Sequence, residues 1–336
     1  MKDDASELLK QTQAWAGRRV LVVGDLTLDE YVYGEPTSIS REAPVVVLEF
    51  TRREFLPGGA CSPACTIQLL GGEAHLLGVC GADGNAQSLR DCLQQYGVSD
   101  AWLVVDGNRP TPTKTRICAL LRGSVISAQQ IARLNVVDRS PLSPAVEEHI
   151  LALLEEQIPQ SDAALVSNYL LGMISQKVVD AVRWLGQRHG KLLTVDSQGD
   201  LSRFVGYDLI KCNQPDAEAA LRRRLESEDD FRVAMHQLAT ELEAKAIMIT
   251  RGAEGSSVFE RTADGSAYHH FPVPVRSEII DVTGAGDAVI AVLTLALSAG
   301  AELAVAAKIA NVAAGIVVRR WGNVPVNINE LTAALG

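Results

Sequence analysis

The feature that most limits how this chain can fold is a series of short, largely apolar runs separated by helix-length segments. Residues 20–23 form the first, ending at Gly24-Asp25, and residues 75–79, 163–167, 192–196, 208–211 and 246–250 follow. A strand that reads apolar throughout, not at alternate positions, is covered on both faces, as in the interior of a parallel sheet. Residues 174–189, 214–225 and 229–243 read as helices, as do 2–16 and 86–96. Strand and helix in turn predict right-handed βαβ units and a layered α/β sheet. Pro57-Gly58-Gly59-Ala60 is expected to open a helix that runs to Leu70, where Gly71-Gly72 stops it. Two long apolar helices are expected at 286–299 and 302–318.

Residues 43–50, with Pro44 near the start, read as a β run with few helix signals around it. They are assigned to a small β lid built from insertions near 30–56 and 109–122. No internal repeat, low-complexity segment or linker interrupts the chain, so residues 1–336 are expected to form a single domain.

Composition narrows the function classes. Apolar residues make up 47% of the chain, enough for a large core and too many for a disordered protein. The net charge of −10 argues against a nucleic-acid partner, which would call for a basic patch or stripe. It leaves phosphates open, because local N–H groups and a metal ion can hold them whatever the total charge. No apolar run has membrane-spanning length, and the charged, amphipathic N-terminus lacks the apolar core of a signal peptide. A cytoplasmic protein with no membrane partner is therefore expected. Cysteines 61, 65, 80, 92, 118 and 212 form no C-x-x-C and no zinc spacing, and they are read as reduced, mostly buried thiols.

The chemistry concentrates in Asp281-Val282-Thr283-Gly284-Ala285-Gly286-Asp287-Ala288, between a strand-like Ile279-Ile280 and an apolar helix. Glycines let the backbone approach a ligand closely. The helix start adds free N–H groups and a positive dipole end, which together make an anion hole. Asp287, in the first turn, is placed to accept a proton from an attacking hydroxyl while those N–H groups hold a transferring phosphoryl group. Taken alone, the same residues also suit a plain helix cap. The third glycine of a dinucleotide fingerprint is replaced by Val289, and no G-x-x-x-x-G-K-[ST] occurs.

Residues 281–288 resemble the second signature of the ribokinase-like (PfkB) carbohydrate kinases. Gly58-Gly59 after Pro57 resembles the first signature, and Asn213-Gln214-Pro215-Asp216 stands where the family carries N-x-x-E. Thr250-Arg251-Gly252-Ala253-Glu254-Gly255 is similar to its T-x-G-x-x-G nucleotide loop. The resemblance covers residues 18–334. Within the family the likeness is to the D-glycero-β-D-manno-heptose 7-phosphate kinases, carried by residues 22–34, 38–47, 110–116, 129–135 and 310–318. It implies a three-layer α/β/α sandwich with a mostly parallel sheet and a β lid. The implied activity is ATP- and Mg2+-dependent transfer to a hydroxyl of a sugar or sugar phosphate.

By position, the resemblance implies Asp287 as catalytic base and Gly284, Ala285 and Gly286 as the anion hole. It implies sugar contacts at Asp29, Gly58, Gly59 and Ser62. Lys114 and Arg116 would reach from the lid, where a guanidinium can grip a sugar phosphate in bidentate fashion. As residues alone they equally suit a solvated strand edge. Thr250, Gly252, Gly255 and Asn311 are implied at the nucleotide. Asn213 and Asp216 are implied near the phosphates, with Asp216 as the metal residue. The resemblance also implies a homodimer formed through the lid, and K+ at backbone oxygens of 281–283 and the 319–325 turn.

The likeness breaks on the substrate side. Where the family reads G-G-A-A-N, this chain has Gly58-Gly59-Ala60-Cys61-Ser62, and where the heptose kinases read S-D-Y-x-K-G it has Ser167-Asn168-Tyr169-Leu170-Leu171-Gly172. Asn135 replaces an acidic residue, and Asp216 is one methylene shorter than Glu. A site built to hydrogen-bond one hydroxyl rejects ligands that cannot match it. A changed acceptor with intact transfer machinery is therefore expected. The alternatives are another sugar, a nucleoside-like polyol, or a catalytically weak regulator that binds sugar or nucleotide.

Overall fold

The computed structural model describes residues 2–121, 128–273 and 279–336. Among them the strands are β1 (Arg19–Gly24), β2 (Leu26–Ile39), β3 (Val46–Gly59), β4 (Glu73–Cys80), β5 (Leu103–Val105), β6 (Thr113–Leu120), β7 (Ala128–Val136), β8 (Ala163–Asn168), β9 (Leu192–Ser197), β10 (Leu209–Asn213), β11 (Ala246–Thr250), β12 (Ser256–Thr262) and β13 (Gly265–Phe271). The helices are α1 (Lys2–Gln13), α2 (Cys61–Leu69), α3 (Gly84–Gln95), α4 (Pro144–Gln157), α5 (Gln176–Arg188), α6 (Gln214–Leu221), α7 (Glu228–Glu241), α8 (Ala285–Ser298), α9 (Leu303–Val317) and α10 (Ile328–Leu335).

The main sheet has the order β13-β12-β11-β10-β9-β8-β1-β4-β5. It is parallel from β11 to β5, and β12 and β13 add an antiparallel hairpin at one edge. Side chains of one strand alternate between two cores. Val20 and Val22 of β1 join Leu76 and Leu165 under α2, α8 and α9, whereas Leu21 and Val23 join Ala164 and Val166 under α4, α5 and α7. This sharing of β1 between two apolar layers is why its sequence carries no polar alternate. It also makes the molecule three layers deep. Helix α8 is apolar all round and is buried from Asp287 to Ala296, so it runs inside its layer instead of across the surface.

The second sheet has the order β3-β2-β6-β7, with β2 and β6 parallel and both outer pairs antiparallel. Strand β2 leaves β1 directly after Asp25, which fixes this sheet beside the carboxyl ends of the main strands. It has a small core of its own, Tyr31, Tyr33, Cys118 and Ala128, with Trp321 packed against it.

Several expectations change. Gly58 and Gly59 end β3 and do not open a helix, and α2 starts only at Cys61. The segment read as 214–225 stops at Leu221, because Arg222 turns left-handed with φ 52°. Ile279-Ile280 belongs to no strand. The lid is larger than 30–56 and 109–122, since β7 adds a fourth strand, while residue 122 lies outside the described residues. All six cysteines are buried and unbridged.

Candidate active site

A cleft of about 1050 Å³ runs along the carboxyl ends of the parallel strands, between them and the second sheet. Crevices in open α/β sheets form at this edge because the strand-to-helix loops open there. Asn168, Asp196, Lys211, Asn213 and Thr250 reach it from the ends of β8, β9, β10 and β11, and Asp29, Lys114 and Arg116 reach it from β2 and β6. Thr283, Gly284, Ala285, Gly286 and Asp287 form the floor between the two groups.

Helix α8 begins at this floor. Gly284 caps it with φ 83°, and a Cβ there would lie 1.9 Å from Asn323 Oδ1, so only glycine fits on both counts. Gly286 is small for a different reason: a Cβ would come within 2.8 Å of Lys211 Nζ. The ammonium therefore stands against the helix start, where the first N–H groups already favour an anion. Lys211 is buried and pairs with Asp196 at 2.6 Å.

Asp287 is 5% exposed. Burial pushes its carboxyl up to about 6, the Tyr169 hydroxyl opposes this by donating to Oδ1, and Asp196 pushes up while Lys211 pulls down. The result is a carboxylate at neutral pH with more proton affinity than an ordinary one, which suits a general base. Burial, with Asp287 second, holds the Tyr169 phenol well above its usual range, so it stays a donor.

On the side of the second sheet, Asp29 is buried, with Arg116 Nη1 3.0 Å from its Oδ1. Lys114 Nζ lies over the Tyr169 ring, 5.0 Å from its centre, and burial lowers its pKa. Gly58 and Ser62 do not line the cleft. A Cβ on Gly58 would meet the Asp29 carboxyl at 2.8 Å, so this glycine makes room for Asp29 and not for a ligand. Ser62 is buried behind the cleft wall and donates to Asn323 Oδ1 at 3.0 Å. Gly59 does line the cleft, with φ 56°.

On the opposite side, Thr250, Gly252, Gly255 and Asn311 surround a slot walled by Val273, Ile279, Ala314 and Val318. Asn311 Nδ2 donates to Pro272 O at 2.7 Å, and Gly255 leaves no space for a Cβ, which would meet Phe271 O at 2.1 Å. The slot's walls are apolar side chains with glycine backbone among them, a setting fit for a purine. Asn213 caps α6 by accepting from Asp216 N at 2.8 Å. Asp216 accepts from Gly199 N at 3.3 Å through Oδ1, while its buried Oδ2 has no partner. Among the described residues no group of three His, Cys, Asp or Glu side chains forms a protein metal cage. A magnesium ion would therefore depend mainly on nucleotide phosphates, with the free Asp216 oxygen as the fitting protein contact.

The family model described as pfkB family carbohydrate kinase matches residues 18–327. The chain belongs to that family. It is 37% identical over 319 residues to the bifunctional protein HldE of Geotalea uraniireducens (strain Rf4), and 38% identical over 319 residues to that of Citrifermentans bemidjiense. Each match takes in 95% of this chain and 63% of the relative, so the chain spans about 63% of the length of these curated relatives. Among solved structures it resembles phosphofructokinase-2 from Escherichia coli in complex with substrates and products, with a TM-score of 0.76 and 19% identity over 95% of this chain and 98% of that one. It also resembles Arabidopsis thaliana ribokinase complexed with ribose and ATP, with a TM-score of 0.71 and 17% identity over 95% and 99% of the two chains. At those identities the likeness is one of fold, and the fold is ribokinase-like. As a pfkB carbohydrate kinase, the protein is a phosphotransferase acting on a sugar hydroxyl.

Four residues of this kinase's cleft escaped the sequence reading. Lys211 had a signal, a lysine inside an otherwise apolar strand. Asp196 ends another such strand, and Tyr169 and Asn323 had no local signal because their partners lie more than a hundred residues away. A fifth residue that the sequence did not mark is Asp25, a buried acid outside the cleft lining. It accepts from the N–H groups of Tyr169, Leu171 and Met173 at 2.8, 3.1 and 3.1 Å, fixing the loop that presents Tyr169. In that loop Leu171 is buried, and Asn168 spends its amide on Ser197 Oγ at 2.9 Å.

Proposed function

We propose that this kinase transfers the γ-phosphoryl group of ATP to a hydroxyl of a phosphorylated sugar, with Asp287 as base. The observation that carries the reading is the position of Asp287. It lies in the first turn of a buried helix, beside an anion-favouring helix start backed by Lys211, and between an apolar slot and a pocket holding Asp29, Lys114 and Arg116. ATP would lie with its base in the slot beside Asn311 and its phosphates between Gly252, Asn213 and the helix start. The sugar hydroxyl, fixed by Asp29, attacks the γ-phosphorus as its proton passes to Asp287. The bond to the β,γ-bridging oxygen breaks, and ADP leaves. The N–H groups of the 284–286 turn and Lys211 hold the charge on the phosphoryl oxygens. Magnesium supplies positive charge to the phosphates when bound, and Asp216 is the residue that would hold it.

The cationic pair Lys114 and Arg116 favours an acceptor that already carries a phosphate. A heptose 7-phosphate is the first candidate, supported by the likeness to HldE. A different sugar is the second, supported by the changes at Ser62, Asn135, Asn168 and Leu171. K+ at the backbone oxygens of 281–283 belongs to the same reading, so replacing KCl with choline chloride is expected to lower turnover. We also assign a second copy of the chain to the outer face of the small sheet, where Ile39, Phe50, Ile131 and Leu134 are exposed together. Six buried, unbridged thiols and the proposed use of ATP support a cytoplasmic location.

The test is magnesium-dependent ADP release across heptose, hexose and pentose phosphates and their unphosphorylated parents. One acceptor is expected to stimulate release, and Asp287→Asn to lower it by about a thousandfold or more. Sugar binding without ADP release would instead identify a binding protein.

A further inference from the structure

We propose that Asp25 is a positioning residue of this site, clamping the 168–173 loop so that the Tyr169 hydroxyl is held on Asp287. Its effect on catalysis rests on the kinase reading, but the geometry stands without it. Asp25 follows directly on β1, is 1% exposed and lies outside the cleft. Its backbone is fixed on two sides, since Asp25 N donates to Ser167 O at 3.1 Å and Asp25 O accepts from Ala60 N at 2.9 Å. Its carboxylate takes three N–H groups from one loop. Oδ2 accepts from Tyr169 N at 2.8 Å and from Leu171 N at 3.1 Å, and Oδ1 accepts from Met173 N at 3.1 Å. Between the first two, Leu170 turns left-handed with φ 58°, a conformation that a leucine keeps only when its surroundings impose it. Gly172 follows with φ 93°. The same loop hands the Tyr169 hydroxyl to Asp287 Oδ1 and sets the Tyr169 ring against Lys114.

Both ends of the Asp25 side chain must accept, so a carboxylate fits and an amide does not. Whichever way an asparagine is turned there, its NH2 faces a backbone N–H, and that donor is left buried without a partner. The loop then loses the contacts that offset the cost of Leu170. The Tyr169 hydroxyl donates to Asp287 and favours its charged form, so releasing it favours the protonated one. The charged and titratable groups facing Asp287 are Tyr169 from this loop, Asp196 from β9, Lys211 from β10 and Lys114 from β6. Asp29 from β2 faces Tyr169, and Arg203 faces Asp25. The two routes from Asp25 to Asp287 have opposite signs. Removing a negative charge by itself eases the ionisation of Asp287 and lowers its midpoint, whereas releasing Tyr169 raises it. A rise therefore reports the loop and not the charge.

The experiment is a 13C-carboxyl NMR titration of Asp287 in the full chain, assigned with Asp287→Asn, alongside the pH profile of sugar-dependent ADP release. Tyr169→Phe is expected to raise the midpoint from about 6 by about one pH unit. Asp25→Asn should raise it by at least as much, and Tyr169→Phe added to Asp25→Asn should move it no further, because the hydroxyl has already left. The acid limb of kcat/KM should shift with the midpoint in each variant. Gly172→Ala brings a Cβ to 2.6 Å from Ser140 O and displaces the loop from its far side with Asp25 intact. The same rise is required of it, and it carries the test should Asp25→Asn not fold. A midpoint that stays or falls in Tyr169→Phe or in the folded loop variant overturns the proposal, as does a double variant in which the two rises add. If the midpoints rise as expected and no sugar supports ADP release, the clamp stands and the kinase reading fails. Active enzyme with unmoved midpoints sinks only the clamp.

Discussion

At the scale of single residues, the site gains function at the expense of stability. Asp287 titrates near 6 in the folded chain against 3.8 as a free carboxyl, and burial is the main cause. A group whose folded pKa is raised contributes stability that is complete below the lower value and lost as pH rises through the upper one. Asp287 thus penalises folding increasingly as pH rises past 3.8 and fully above about pH 6. Asp287→Asn is expected to stabilise the chain by up to about 3 kcal/mol at pH 8 and by almost nothing at pH 4, as urea unfolding at the two pH values would read. With Asp287 as the proposed base, the same titration sets activity, since only the carboxylate accepts a proton. For the wild type, log kcat/KM should fall with unit slope below about pH 6. Gly284→Ala must push a Cβ into Asn323 Oδ1 at a φ of 83°, and a loss of about 2 kcal/mol or more in denaturant unfolding is expected. The glycine-rich turn and Asp287 were legible in the sequence because all their chemistry is local. Lys211 and Asn323 were not, because each acquires its role only when distant segments meet.

At the scale of elements, legibility tracks burial. Strands β1, β8, β9, β10 and β11 stood out because both their faces are covered. Strand β7 did not, since every side chain after Ala128 is exposed and its sequence carries no apolar run. The edge hairpin β12–β13 is half exposed and went unread for the same reason. Pro57-Gly58-Gly59 misled in a different way. Those residues look like a helix start, yet Gly58 ends a strand because the Asp29 carboxyl occupies its side-chain space. Short helices depend on their caps more than long ones do. Helix α6 is one of the shorter ones, and Asn213 satisfies the Asp216 N–H at its start. Asn213→Ala is expected to cost about 1 kcal/mol in thermal unfolding. Because Asp216 sits in that first turn, the variant should also raise KM for MgATP several-fold while KM for the sugar changes little.

At the scale of the whole molecule, the two sheets divide the work. The main sheet supplies Asp196, Lys211 and Thr250, the turn into α8 supplies the floor, and the small sheet supplies Asp29, Lys114 and Arg116. The outer face of the small sheet leaves Phe50 and Ile39 each 67% exposed, which a second copy would cover. Phe50→Asp is expected to convert a dimer to a monomer in sedimentation velocity, and a species of unchanged mass would remove the assignment of this face to self-association. The division of labour also explains why the acceptor is harder to read than the reaction. In the proposed reading, the base and the anion hole come from one contiguous turn, whereas the sugar pocket is assembled from β2, β6, the 168–173 loop and the 319–325 turn. The most direct test of the account is single-turnover transfer of label from γ-32P-ATP to the stimulating sugar at pH 8, with wild type and Asp287→Asn compared at saturating ligands. The account predicts labelled sugar phosphate from the wild type and, from the variant, a rate lower by about three orders of magnitude. Transfer by Asp287→Asn at a rate close to the wild type would contradict it, because the base would then be another group.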